Sequence, residues 1–157
     1  MNVLPELKTE FGKKKAAYDT RIIVCAGTGC VANGANRIIE ALRLKLDLEG
    51  LNVLVTPDVH DDGRVGLSGS GCQGFCQMGP LVNIDPLGVM YVKVTAEDVD
   101  EIVEETIKNN RVIDRLLYVD PATGTKCKGK SEIPFYRKQQ RLTLELCGRI
   151  DPEDIAE

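Results

Sequence analysis

The chain has no tryptophan, one histidine and an aromatic share of 4% in 157 residues. The single imidazole, His60, excludes a Rieske centre and a Cys₂His₂ finger, and leaves any catalytic dyad one candidate base. No apolar run approaches the roughly 18–20 residues that span a bilayer. Met1 to Lys15 is polar, without the apolar stretch of a secretory signal. There is no Cys-x-x-Cys pair, no phosphate-binding loop and no nucleophile elbow. Net charge is −4, with 20 basic and 24 acidic side chains, the wrong balance for a general nucleic-acid binder. What is there is a 43% apolar chain, enough for a packed core. It reads as a cytoplasmic protein with no membrane span and no nucleic-acid partner.

Against this sparse background stand six cysteines, at 25, 30, 72, 76, 127 and 147. The cytosol keeps thiols reduced, so their spacing carries more than their number. Cys25 and Cys30 have four residues between them, Cys72 and Cys76 three, and the last two stand alone.

Periodicity places these pairs. Arg21-Ile-Ile-Val-Cys25 is apolar and β-branched, as a buried strand is. After the Gly-punctuated loop Ala26-Gly-Thr-Gly-Cys30, residues Ala35, Ile38, Ile39, Leu42 and Leu46 recur at helical spacing, with a stop at Gly50. Asn52-Val-Leu-Val-Thr56 predicts a second strand. Residues 60–80, rich in glycine, predict a loop that holds Cys72 and Cys76. Leu81–Ile84 and Val89–Val94 predict a hairpin around the turn Asp85-Pro-Leu-Gly88. Thr95-Ala-Glu-Asp98 opens a capped helix whose inner face is Val99, Ile102, Val103, Thr106 and Ile107. The acidic side chains of that helix, Glu97, Asp98, Asp100, Glu101, Glu104 and Glu105, read as its solvated face, with a docking face for a basic partner as the alternative. Residues 21–111 hold 13 acidic and 8 basic side chains, so the acidity of the chain lies in this segment.

This element order is that of a thioredoxin-like fold: an α/β (α+β) chain with a mixed sheet of about four strands, two covering helices and a C-terminal extension. The expected division is an N-terminal arm at 1–20, a domain at 21–111, a linker at 112–140 and the start of a further, truncated domain at 141–157. Lys126 to Arg141 has six basic residues against Glu132 and reads as linker rather than docking surface.

In such a sheet, the loops after the first strand and before the hairpin can emerge at one edge, bringing four thiols together. Gly27, Gly29, Gly69, Gly71, Gly74 and Gly79 flank them and permit close backbone approach. An iron–sulfur cluster needs that closeness, because backbone N–H groups stabilise its sulfides. Phe75 and Met78 add apolar shielding. Four thiolates also suit zinc, though structural zinc sites more often have two residues between paired cysteines. Thiols without metal stay open too. Cys127 and Cys147 read as incidental thiols, and His60 and Asp61-Asp62-Gly63 as loop residues. Gly27-Thr-Gly29 is no dinucleotide fingerprint, because Gly34 comes too late.

Cys25-x₄-Cys30 with Ser70-Gly-Cys72-Gln-Gly-Phe-Cys76-Gln-Met-Gly-Pro80 resembles the thioredoxin-like [2Fe–2S] ferredoxin family over roughly residues 21–110. The resemblance implies that Cys25, Cys30, Cys72 and Cys76 ligate one [2Fe–2S] cluster. A second resemblance lies in the tail. Ile133-Pro-Phe-Tyr136, Gln140-Arg141 and Cys147-Gly-Arg-Ile-Asp-Pro-Glu-Asp-Ile155 are similar to the segment that introduces the flavin-binding core in diaphorase subunits of NAD-dependent and electron-bifurcating [FeFe] hydrogenases.

That likeness implies that the chain is the N-terminal part of such a subunit. Only about twenty residues precede the first strand, which favours this over the separate small subunit of NADH dehydrogenase with its helical N-terminal domain. FMN, NAD and a [4Fe–4S] cluster would belong to the downstream core, whose motifs are not in these residues. Cys147 would belong to the tail motif rather than the ligand set. The expected function is one-electron transfer within an NADH-linked multisubunit oxidoreductase, in redox exchange with flavin or iron–sulfur centres. The chain alone would be an electron carrier with no catalytic residue. A structural zinc module and a metal-free thiol oxidoreductase are the rival expectations.

Overall fold

A computed structural model describes residues 19–54, 64–145 and 147. His60 and Asp61-Asp62-Gly63 lie outside these residues. Strand β1 (Thr20–Cys25) is the centre of the fold, with Ile22, Ile23, Val24 and Cys25 buried. A short helix α1 (Thr28–Ala32) and the longer α2 (Ala35–Leu48) follow, separated by Gly34 at φ +97°, a conformation that favours glycine. Helix α2 buries Ala35, Ile38, Leu42 and Leu46, the expected stripe, while Ile39 is half-buried at its margin. Strands β2 (Asn52–Leu54), β3 (Arg64–Ser70), β4 (Val82–Asp85) and β5 (Val89–Tyr91) complete a five-stranded sheet in the order β2-β3-β1-β4-β5. Strand β1 runs parallel to β3 and antiparallel to β4.

The expected mixed sheet with covering helices is therefore present, with one strand more than the periodicity shows. Part of the predicted loop at 60–80 is β3, Arg64-Val-Gly-Leu-Ser-Gly-Ser70. Its glycines and serines carry loop chemistry, but β3 lies between β1 and β2, and both ladders hold it. A Cβ on Gly69 would lie 3.5 Å from Ala26 Cβ and 3.8 Å from Ile39 Cδ1, ordinary contact distances.

The hairpin turn falls at 86–88, with a cis Asp85–Pro86 bond and Gly88 at φ +67°. The last strand ends at Tyr91 rather than Val94. Lys93 takes φ +51°, leaves the ladder, and donates its N–H to the Met78 carbonyl at 2.8 Å. Thr95 and Asp98 form the predicted capping box: the Thr95 N–H donates to Asp98 Oδ2 at 2.8 Å. Helix α3 (Val99–Glu101) continues as a π-helical stretch, Ile102–Lys108. The wider turn still buries Val99, Ile102, Val103 and Thr106. Thr106 Oγ1 lies 2.6 Å from the Tyr91 hydroxyl, which also accepts the Ile113 N–H at 3.0 Å. A fully buried phenol is thus satisfied at both ends of its capacity.

The acidic side chains of this helix are engaged within the chain: Asp100 with Lys45, Glu101 with Arg115, Glu104 with Lys108 and Glu105 with Arg111. Each exposed pair contributes little energy.

The segment at 112–140, expected as a linker, is packed against the body. Ile113, Leu116, Leu117, Cys127 and Ile133 are buried in the common core. Strands β6 (Tyr118–Val119) and β7 (Lys126–Cys127) form a small ribbon around the Asp120–Gly124 turn. Met90 N–H donates to the Lys128 carbonyl at 2.8 Å and Val92 N–H to the Leu116 carbonyl at 2.9 Å, so this segment covers the free edge of β5. Polar composition gave a linker pattern because its few apolar anchors are widely spaced. No helix among the described residues is long and apolar enough to cross a membrane.

Candidate functional site

Four of the six cysteines lie in the loops at one end of the sheet. Cys25 closes β1 and is held there by its N–H on the Leu81 carbonyl, 2.9 Å. Cys30 lies in α1, one turn beyond the strand. Both are buried. Cys72 follows β3 directly and is half-buried; Cys76 opens a 3₁₀ turn, Cys76–Met78, and is exposed. Parallel pairing of β1 with β3, in register Cys25↔Ser70, delivers Cys72 next to Cys25. The unexpected strand is thus what positions the second pair.

Close packing joins the two loops. A Cβ on Gly27 would lie 2.9 Å from both Cα and Cβ of Cys72, and one on Gly79 would lie 2.6 Å from Cys30 Sγ. The cysteine loops touch only because these positions lack a side chain. Cys72 Sγ and Cys76 Sγ are 3.9 Å apart. Backbone donors point at sulfur: Gln73 N–H at Cys25 Sγ, 3.5 Å, and Gly74 N–H at Cys72 Sγ, 3.3 Å.

Crowding shows in the acid–base chemistry. Burial, and then the neighbouring Cys25 thiol, push Cys30 up to about 12. Cys76 is also raised, first by its hydrogen bond with Cys72 and then by the charge of that thiol. Four thiolates so placed repel one another and call for cationic metal between them.

The donor set fits a binuclear iron–sulfur cluster. The thiols come as two pairs, and a [2Fe–2S] cluster takes two thiolates per iron. Backbone N–H groups on two of the sulfurs supply the surroundings such a cluster needs.

Several supporting contacts escaped the sequence reading. Gln73 is fully buried; its Nε2 donates to Ser70 Oγ at 3.0 Å and its Oε1 accepts from Asn83 Nδ2 at 2.7 Å. Phe75 stacks on Phe135 at 4.6 Å and meets Tyr118 and Tyr136 edge-on. Tyr136 Oη donates to the Gln73 carbonyl at 3.1 Å. Arg141 donates to the same carbonyl at 2.8 Å and to that of Cys72 at 3.1 Å. Helix α4 (Pro134–Arg137) and the residues after it therefore brace the loop of the second pair from more than sixty residues away. In sequence, Tyr136 and Arg141 are legible only as parts of the tail motif.

The remaining cysteines differ. Cys127 is buried, its thiol raised by that burial and then by Glu132, and its Sγ lies 3.6 Å from the Glu132 carbonyl. Cys147 is half-buried, and its Sγ lies 3.2 Å from where a Gly71 Cβ would be.

A thioredoxin-like sheet that presents two thiol pairs to backbone N–H donors at one loop cluster defines a class: the iron–sulfur electron carriers. Residues 9–107 match the model of the thioredoxin-like [2Fe-2S] ferredoxin family, and the chain belongs to that family. Its cofactor is a [2Fe–2S] cluster and its function at that level is electron transfer. The chain is 37% identical over 87 residues to a 2Fe-2S ferredoxin of Clostridium pasteurianum, covering 55% of this chain and 76% of that protein. It is 33% identical over 86 residues to the NADP-reducing hydrogenase subunit HndA of Solidesulfovibrio fructosivorans, 54% of this chain and 44% of the subunit. The structure of a thioredoxin-like [2Fe-2S] ferredoxin from Aquifex aeolicus superposes with a TM-score of 0.51 at 28% identity, covering 64% of this chain and 90% of that one.

Proposed function

We propose that Cys25, Cys30, Cys72 and Cys76 are the ligands of the [2Fe–2S] cluster. The chain then relays single electrons to or from flavin or iron–sulfur centres of a multisubunit NADH- or NADP-linked oxidoreductase, such as a hydrogenase complex. The observation that carries the ligand assignment is the meeting of the two thiol pairs across Gly27 and Gly79, with Gln73 and Gly74 N–H groups on sulfur. The likeness to a hydrogenase subunit supports the wider setting.

When bound, the cluster supplies reversible one-electron chemistry. The chain's own residues then have three tasks. Cys25 and Cys30 hold their thiolates in the core, away from water. Gln73 and Gly74 direct partial positive charge at sulfur, which favours the reduced form. Cys76, on an exposed turn, offers the short path by which an electron enters or leaves. No side chain need move a proton. A flavin-core segment beginning near 141 is part of the same proposal.

Iron, zinc and sulfide analysis with visible absorption tests this directly. The expected result is two irons and two sulfides per chain; a colourless zinc protein without sulfide would overturn it. For the ligands, Cys25→Ser and Cys76→Ser should abolish or alter the low-temperature paramagnetic signal of the reduced protein. Cys127→Ser should leave it intact, and its loss there would show the ligand set to be wrong.

A further inference from the structure

Arg141 touches the backbone of the loop that carries the second cysteine pair. Its guanidinium spans two successive peptide carbonyls, those of Cys72 and Gln73. The Tyr136 hydroxyl adds a second donor to Gln73. A Cβ at Gly74, which has φ +84°, would lie 3.2 Å from Arg141 Nη2, so the loop has been left open for this side chain to close upon it. The peptides gripped on their carbonyl side are the ones whose N–H groups matter: Gln73 N–H faces Cys25 Sγ and Gly74 N–H faces Cys72 Sγ. A carbonyl that accepts a charge-assisted hydrogen bond polarises its peptide and strengthens the N–H on the other side.

We propose that Arg141, seconded by Tyr136, is a positioning residue that sets the reduction potential. It clamps the 72–74 backbone so that its N–H groups stay on sulfur, and it places a fixed positive charge beside the second cysteine pair. Both effects favour the form that carries the extra electron. One electron enters and no bond breaks. The consequence reaches further. The clamp belongs to the segment at 134–141, so whatever docks on or pulls that segment changes the potential of a site it does not touch.

This rests on the ligand assignment above, and the two can fail separately. Failure of the assignment shows as absent iron and sulfide; failure of the clamp shows as an unmoved potential in a fully loaded protein. The experiment is a redox titration of the full chain, followed by the paramagnetic signal, in Arg141→Gln, Arg141→Lys, Tyr136→Phe and Arg137→Gln. Arg141→Gln should lower the equilibrium constant for reduction about tenfold, which is about 59 mV toward more negative potential for one electron. Arg141→Lys and Tyr136→Phe should fall between it and the parent. Arg137→Gln removes the same charge from the same segment without a carbonyl clamp and should leave the midpoint in place. A loaded Arg141→Gln protein with the parent midpoint overturns the proposal, and so does an equal shift in Arg137→Gln. If Arg141→Gln loses its cluster, Tyr136→Phe decides: an unshifted midpoint there overturns it as well.

Discussion

Cys25 and Cys30 sit on a central strand and on the helix that follows it, walled in by the core. Cys72 and Cys76 sit on irregular backbone at the surface, and what holds that backbone comes from the far end of the chain: Phe135, Tyr136 and Arg141. One pair is placed by local structure and burial, the other by long-range contacts that form only once the C-terminal segment has packed. The contrast separates two needs of an electron carrier. Under the proposed ligand assignment, the buried pair would insulate the centre and the accessible pair would let the electron out.

The contrast can be broken most severely at Phe75, the hinge between the exposed loop and its brace. Phe75→Ala removes a buried ring with three aromatic neighbours and should cost about 3 kcal/mol in urea unfolding. Phe135→Ala, at a half-exposed ring, should cost nearer 1 kcal/mol. Equal losses would mean that the loop does not depend on its own anchor.

A smaller effect tests how tightly the two pairs are interlocked. Gly27→Ala forces a methyl group against the Cys72 backbone and should cost about 2 kcal/mol while lowering iron content. Gly29→Ala meets Cys76 only at 3.7 Å or more and should be accepted. Iron analysis of the two purified variants checks this, and full loading of Gly27→Ala would show that the loops can part.

The smallest effect should leave both pairs alone. Burial works against a charged Asp98, but the Thr95 N–H and Arg115 outweigh it and hold the carboxyl below its usual value. A depressed carboxylate stabilises in full above its unfolded value near pH 4 and loses that contribution as pH falls through the folded value. Asp98→Asn should cost about 1 kcal/mol at pH 7, with the gap to the parent narrowing below about pH 4. Unfolding followed by circular dichroism at both pH values tests this. Any change in the paramagnetic signal would tie the helix cap to the site.

These regions also differ in how far they can be read from sequence. Strand β1, helix α2, the hairpin and the Thr95–Asp98 box were legible because each carries its signal in neighbouring residues. Strand β3 was not, since Arg64-Val-Gly-Leu-Ser-Gly-Ser70 has the composition of a loop and becomes a strand through its two partners. The four cysteines of the loop cluster were legible from spacing. Arg141 was not, because nothing local announces that a side chain will reach back to residue 72. The linker expected at 112–140 failed for the same reason: Ile113, Leu116, Leu117 and Ile133 are too far apart to show a period, yet all of them find the core.

The ribbon and turns that cover β5 bear on how the protein behaves in a crowded solution. A free sheet edge is a template on which another chain can add a strand. Here the edge at β5 is occupied by Lys128, Leu116 and Leu117. The family match ends at residue 107, so the guard lies outside the part that defines the family. A piece cut to the family boundary would keep its thiols and lose its edge protection, and would be sticky where the longer chain is not.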